Sequence, residues 1–173
     1  MSTVRTQNLK NACRALERST DRTLTWRPVF HLAPVTGWLN DPNGLCQIGE
    51  THHIFFQYSP FDVKPGLNYW GHYQYCEPAL CSDEKFDCHG VYSGSALGQD
   101  GTMYLFYTGN VLRRDREDYD YTTAGREHNT IRAESEDGLH FTKKTVLLYN
   151  EDYPADLTCH VRDPKVWKDG DRE

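Results

Sequence analysis

An all-β fold preceded by one short helix is what this sequence predicts, and three observations carry the prediction. From residue 26 onward, short apolar runs alternate with Gly-, Asp- and Ser-containing clusters, giving a turn about every 10 to 20 residues. Aromatic residues make up 13% of the chain, with eleven Tyr and four Trp, a level that suits a β-rich core. A helix-period apolar pattern without Gly or Pro occurs at the N-terminus, and helical content beyond residue 20 is expected to be low. Sandwich and propeller architectures both fit this pattern.

The helix is expected over residues 4–18, with Val4, Leu9, Ala12 and Leu16 near one face and Ser19-Thr20-Asp21 ending it. It reads as an appendage, residues 1–25, packed on a main body of residues 26–173; Glu17 and Asp21 argue against a mitochondrial presequence. Gly44–Ile48 and His53–Tyr58 flank Gly49-Glu50-Thr51 as a first hairpin. Gly90–Leu97 and Thr102–Thr108 flank Gln99-Asp100-Gly101, whose Asp-Gly pair is a strong hairpin signal. Ile131–Ser135 and Phe141–Lys144 flank Asp137-Gly138 as a third hairpin, and Lys165–Lys168 with Asp169-Gly170 continues the series. The polar stretches 110–130 and 150–160 are too long for hairpin turns and read as loops over a site or as crossings between sheets.

Composition excludes several classes. The net charge is −6 with acids and bases interspersed, so no basic stripe follows a nucleic-acid backbone. The run Arg113–Asp118 reads as a solvated loop. Mean hydropathy is −0.76, and no apolar run approaches the ~20 residues of a membrane span. The N-terminus has no apolar h-region, which predicts a cytoplasmic protein whose six cysteines stay reduced. Cys76, Cys81, Cys88 and His89 cluster, but their C-x4-C-x6-C-H spacing lacks the close pairs of structural zinc sites, and no metal is expected.

The chemistry-bearing residues lie in short segments. Trp38-Leu39-Asn40-Asp41-Pro42-Asn43-Gly44 places one carboxylate between two asparagine amides in what reads as a tightly turned segment. Arg162-Asp163-Pro164 supplies a second carboxylate far downstream. Glycoside cleavage passes through an oxocarbenium-like state and uses two carboxyl groups, while sugar hydroxyls want amides, carboxylates and Arg, and a ring face wants an aromatic wall. Asn40, Asp41, Gln57, Trp70, Ser93, Arg162 and Asp163 provide that inventory. Arg162 is expected to hold Asp163 ionised, because a neighbouring cation lowers a carboxyl pKa. Ser93-Gly94-Ser95 lacks the Gly-x-Ser-x-Gly of a serine hydrolase. His72 reads as a structural histidine, and Trp26 and Trp38 as walls or core.

Taken in order, Trp38–Gly44, Phe55-Phe56-Gln57-Tyr58-Ser59-Pro60, Trp70-Gly71-His72, Tyr92-Ser93-Gly94-Ser95-Ala96 and Arg162-Asp163-Pro164 resemble glycoside hydrolase family 32. That family comprises invertases, sucrose-6-phosphate hydrolases and fructan hydrolases. The resemblance covers about residues 26–173, and Ala133–Phe141 is similar to the family's A-x-S-x-D-G-x-x-F segment. It implies that Asp41 is the nucleophile forming a fructosyl-enzyme ester and that Asp163 binds fructose hydroxyls and stabilises the transition state. Trp38, Leu39, Asn40, Gln57, Trp70, Tyr92, Ser93 and Arg162 would line the sugar pocket. The implied fold is a five-bladed β-propeller followed by a β-sandwich, of which this chain holds about the first two blades. The implied reaction is hydrolysis of terminal β-D-fructofuranosides with retention, without metal or organic cofactor. Its substrate would be sucrose, sucrose 6-phosphate or a short fructo-oligosaccharide, and no nucleic-acid or membrane partner is implied.

Two family features are absent. The family's general acid is a glutamate in a Glu-Cys-Pro segment after Arg-Asp-Pro, and none follows Asp163 up to Glu173; Cys76-Glu77-Pro78 has another letter order and place. The S-x-D-x-x-x-W segment after Trp70-Gly71-His72 is also missing, which predicts loss of part of a strand from the first blade. The expectation is a truncated N-terminal piece of such an enzyme with little activity alone, the alternative being a non-catalytic sugar-binding remnant. A propeller glycosidase acting on arabinosides would explain the two aspartates but not the whole motif series.

Overall fold

The computed structural model describes residues 4–21, 23, 32–64, 66–73, 75–141 and 143–169; Trp26 and the side chains of Cys76 and Glu77 lie outside the described residues. One helix, α1 (Val4–Ser19), precedes eight strands: β1 (Trp38–Ile48), β2 (Thr51–Ser59), β3 (Tyr69–His72), β4 (Tyr75–Leu80), β5 (Val91–Gln99), β6 (Thr102–Leu112), β7 (Arg126–Ser135) and β8 (Lys143–Leu148). They form two four-stranded antiparallel sheets in sequence order, β1-β2-β3-β4 and β5-β6-β7-β8. The fold is therefore all-β with one short N-terminal helix. A single 3-10 turn, Asn150–Asp152, is the other helical element among the described residues.

Turn chemistry sets the registers. Asp100 and Gly101 both take positive φ, +50° and +77°, the pair of values that a tight primed hairpin turn demands. Register then runs without slip from Gly94↔Tyr107 to Gln99↔Thr102. β6 and β7 pair over ten successive positions, from Met103↔Ser135 to Leu112↔Arg126, which makes them the most regular part of the molecule.

The core lies between the sheets. Phe55, Trp70 and Leu80 of the first sheet pack on Val91, Met103, Leu105, Tyr107, Ile131 and Ala133 of the second. Strand alternation puts Met103, Leu105 and Tyr107 on one face of β6 and Thr108 on the other. β1 and β5, the first strand of each sheet, lie against one another at the seam.

Four expectations need correction. The helix forms as predicted, but its inward face carries Thr6 and Cys13, and Val4 is 79% exposed. The reason is the surface it meets: Thr6 Oγ1 donates to Asp83 Oδ2 at 2.6 Å, a polar contact that an apolar-stripe reading overlooks. The Trp38–Gly44 heptad is not a free-standing turn; it lies within β1, interrupted by register shifts between Asn40 and Pro42 and between Asn43 and Cys46. The fourth strand of the first sheet is present as β4, although its pairing with β3 shifts register on both sides of Gly71. Lys165–Lys168 forms no strand, since no described strand pairs with it.

Candidate functional site

Asp41, Ser93 and Asp163 each stand where the backbone leaves regular geometry. Asp41 is the extra residue between the Asn40↔Gln57 and Pro42↔Phe56 pairs and has φ +41°. Ser93 is the extra residue between Tyr92↔Thr108 and Gly94↔Tyr107. A bulge of this kind re-aims one side chain out of the strand's alternation. The two bulges face each other across the β1–β5 seam, where Ser93 Oγ donates to Asp41 Oδ2 at 3.4 Å. Gly94 makes the β5 bulge feasible, because a Cβ there would sit 1.9 Å from the Phe106 carbonyl oxygen.

Asp163 arrives from a separate segment. Its φ is +62°, a left-handed conformation that costs a non-glycine residue about 1–3 kcal/mol and must be held by its surroundings. The Asp163 N–H donates to Thr108 Oγ1 at 3.0 Å. Ser95 Oγ donates to the Pro164 carbonyl and accepts from the Val166 N–H, both at 3.0 Å. Burial raises the Asp163 carboxyl above its ordinary pKa, Arg162 opposes the rise, and the Asp41 charge adds to it. Arg162 lowers the Asp163 pKa in the expected sense, but burial outweighs it. Its Nε stands 3.7 Å from Asp163 Oδ2 and both side chains are about half exposed, so water screens the attraction.

The amides sit beside this carboxylate pair. Asn40 and Gln57 are cross-strand partners and so share one face. Asn40 Oδ1, Asn43 Oδ1 and Gln57 Nε2 are buried without a hydrogen-bonding partner among the described residues. Buried amide groups left unpaired are costly, and sugar hydroxyls are groups that could satisfy them. Trp38 and Leu39 flank them on β1, half-buried, and pair with Ser59 and Tyr58.

Trp70 departs from its expected place on the pocket wall. It is fully buried, and its indole N–H donates to the Tyr92 carbonyl at 3.1 Å. It offers no ring face to a ligand and instead ties β3 to β5 next to Ser93. Tyr92 is half-buried; its hydroxyl accepts from Arg126 Nη1 at 3.3 Å, and its ring meets the His128 ring at 5.5 Å. His72 is the structural histidine expected: it stacks on Phe55 at 4.2 Å, shares a 3.0 Å hydrogen bond with His53, and burial pulls its pKa down to about 4.

Sequence reasoning missed the role of Thr108, which it read only as the end of a hairpin strand and which carries no motif signal, and it quoted Ser95 without a role. It also missed Arg126, which is 6% exposed, reaches Asn110 and Tyr92, and lies over the Tyr121 ring at 4.3 Å. A cleft of about 420 Å3 beneath α1, lined by Thr6, Cys81, Asp83 and Lys144 among others, includes neither Asp41 nor Asp163. Among the described residues no group of three or more His, Cys, Asp or Glu could hold a metal ion, and Cys46, Cys81, Cys88 and Cys159 are free thiols. No described helix is long and apolar enough to cross a membrane.

Comparison with known proteins agrees with the motif series. The chain is 40% identical to a raffinose invertase of Escherichia coli over 170 residues, covering 93% of this chain and 34% of that protein. It is 43% identical to a sucrose-6-phosphate hydrolase of Bacillus subtilis over 150 residues, covering 82% and 29% respectively. Among solved structures, a Bombyx mori GH32 beta-fructofuranosidase superposes with a TM-score of 0.76 at 25% identity, over 99% of this chain and 36% of that one. A sucrose-6-phosphate hydrolase from Lactobacillus gasseri gives 0.69 at 28% identity, over 96% and 35%. The chain thus spans about a third of the length of these relatives. Residues 31–173 match the Glycosyl hydrolases family 32 N-terminal domain, and the chain belongs to that family.

Proposed function

We propose that this chain carries the nucleophile-bearing part of a β-fructofuranosidase that acts on terminal non-reducing β-D-fructofuranosides. The observation that carries the proposal is the meeting of Asp41, Ser93 and Asp163 at the β1–β5 seam, with Asp41 close enough to raise the proton affinity of Asp163. In this reading Asp41 attacks the anomeric carbon and forms a fructosyl ester, which water then hydrolyses with net retention. Asp163 accepts hydrogen bonds from fructose hydroxyls and stabilises the oxocarbenium-like charge. Asn40 and Gln57 complete the hydroxyl contacts with the atoms they now leave unpaired. Trp38, Leu39, Tyr92, Ser93 and Arg162 bound the pocket, while Trp70 supports it from the core. The proton for the leaving oxygen belongs to a third carboxyl group, which the family resemblance assigns to a glutamate beyond Arg162-Asp163-Pro164.

Two consecutive four-stranded antiparallel sheets whose first strands abut support a reading as two blades of a propeller, five-bladed in the family. On that reading residues 26–173 form the propeller part and residues 1–25 the helical appendage. The substrates proposed are sucrose, sucrose 6-phosphate or short fructo-oligosaccharides, handled in the cytoplasm. The alternative, a sugar-binding module without turnover, is favoured by the same unpaired amides, which need no acid to bind.

The test is fructose release from sucrose and from sucrose 6-phosphate by the purified chain, with Asp41→Ala as control and light scattering on the same sample. Release abolished by Asp41→Ala supports the hydrolase. A folded monomer that binds either sugar without releasing fructose would replace it with the binding module.

A further inference from the structure

The segment bearing Asp163 has no strand of its own to fix it, yet its backbone adopts a conformation that non-glycine residues seldom hold unaided. Something on the body must hold it. Thr108 is 1% exposed on β6, and its hydroxyl receives the Asp163 N–H. Ser95 is 4% exposed on β5 and bridges the next two anchor points, the Pro164 carbonyl and the Val166 N–H. These three hydrogen bonds bracket residues 163–166 and join them to β6 and to β5, the strand that carries Ser93, which in turn touches Asp41.

We propose that Thr108 and Ser95 are the positioning residues of the site, clamping Asp163 in its left-handed conformation so that its carboxylate faces Asp41. The proposal rests on the reading of Asp163 as a sugar-binding and charge-stabilising group. Neither hydroxyl touches the substrate; each acts through the backbone of the 163–166 segment. The placement of Gly94 between Ser93 and Ser95 fits this division, since the bulge that turns Ser93 toward β1 leaves Ser95 facing the segment. The charged groups facing Asp163 are Asp41 from β1 and Arg162 from its own segment.

The measurement is a carboxyl 13C NMR titration of Asp163, assigned by its loss in Asp163→Asn, in the full chain and in Thr108→Val, Thr108→Ser, Ser95→Ala and Asp41→Asn. In the native chain and Thr108→Ser, Asp163 titrates above an ordinary aspartate. In Thr108→Val, Ser95→Ala and Asp41→Asn it falls toward the ordinary value. In fructose release from an activated fructoside, whose leaving group needs no proton donor, Thr108→Val lowers kcat about 100-fold with little change in KM, the signature of a displaced group, and Thr108→Ser restores it. An unchanged Asp163 titration in folded Thr108→Val overturns the proposal, as does a failure of Thr108→Ser to restore it. Should Thr108→Val not fold, an unchanged titration in Ser95→Ala overturns it equally. A shifted titration with no fructose release from the native chain would sink the hydrolase reading and leave the clamp standing. Fructose release without any shift would do the reverse.

Discussion

Lys144 is the residue whose loss should cost this fold most. Its ammonium donates to the Cys81 carbonyl at 2.5 Å, Asp83 Oδ1 at 2.6 Å and Asp87 Oδ2 at 2.8 Å. Asp87 is wholly buried and also accepts from the Tyr107 hydroxyl at 2.8 Å; Asp83 is held from its other side by Thr6 of α1. One cation therefore joins β8, the 81–87 segment, the core of the second sheet and the helix. Burial disfavours the Lys144 charge, but Asp87 and Asp83 outweigh it and raise the pKa. Stability drawn from a raised lysine pKa is fully present at neutral pH and fades only as pH rises through that value. Lys144→Met keeps the aliphatic stem and removes the counter-charge that Lys144 supplies to Asp83 and to the wholly buried Asp87. Removing one partner of a buried pair costs about 3–5 kcal/mol, and the orphaned Cys81 carbonyl adds roughly 1. A total of about 4–6 kcal/mol lowers Tm by roughly 8–24 °C for a chain of this size. Urea denaturation at neutral pH reads the loss directly. Adding Asp87→Asn should recover part of it, and the deficit should shrink in acid as a carboxylate takes up a proton. A loss under about 1 kcal/mol, the range of an exposed ion pair, would refute the argument.

Other consequences can be measured on the same material. Gly94→Ala puts a methyl group 1.9 Å from the Phe106 carbonyl, so thermal melts should show about 3 kcal/mol of destabilisation together with loss of the Ser93–Asp41 contact. His72 and His128 have pKa values pulled down mainly by burial, to about 4 and about 3. Depressed histidines contribute stability that is complete above the unfolded value near 6.5 and is lost as pH falls. Acid denaturation should therefore begin below about pH 6.5, with His72 contributing about 3 kcal/mol by pH 4, and His72→Phe should flatten that limb. Asp163→Asn should abolish fructose release yet raise neutral-pH stability by about 0.5 kcal/mol or less, given the solvent screening there. The sign follows from the raised Asp163 pKa, whose stabilising protonated form is lost as pH rises through it, and Asn tolerates the left-handed backbone well.

The readable parts of the sequence were those set by local chemistry. Asp100-Gly101 announced its hairpin because both residues must take positive φ, and the structure uses them so. Strands β3 and β4 were not readable: Tyr69–His72 is only four residues long, and Gly71 belongs there because the Phe56 ring occupies the space of a Cβ, a long-range reason. Nothing in the sequence marked Lys144 beyond its place at the end of a hairpin strand, because its two carboxylate partners lie 61 and 57 residues away along the chain. In the site, motif letters marked Asp41, Ser93 and Asp163, but nothing in them told that the first two sit on facing bulges. Trp70 shows the limit of motif reading, since an aromatic beside a sugar motif turned out to be core. Thr108 was invisible because its role depends on a segment 55 residues downstream.

The central claim is that Asp41 is the nucleophile, and trapping the fructosyl-enzyme ester tests it most directly. The protein, incubated with an activated fructoside and quenched in acid, is digested and its peptides mapped by mass spectrometry. The account predicts one fructosyl adduct, on the peptide containing Asp41 and absent from Asp41→Ala. An adduct on any other residue, or fructose release that persists in Asp41→Ala, would contradict it.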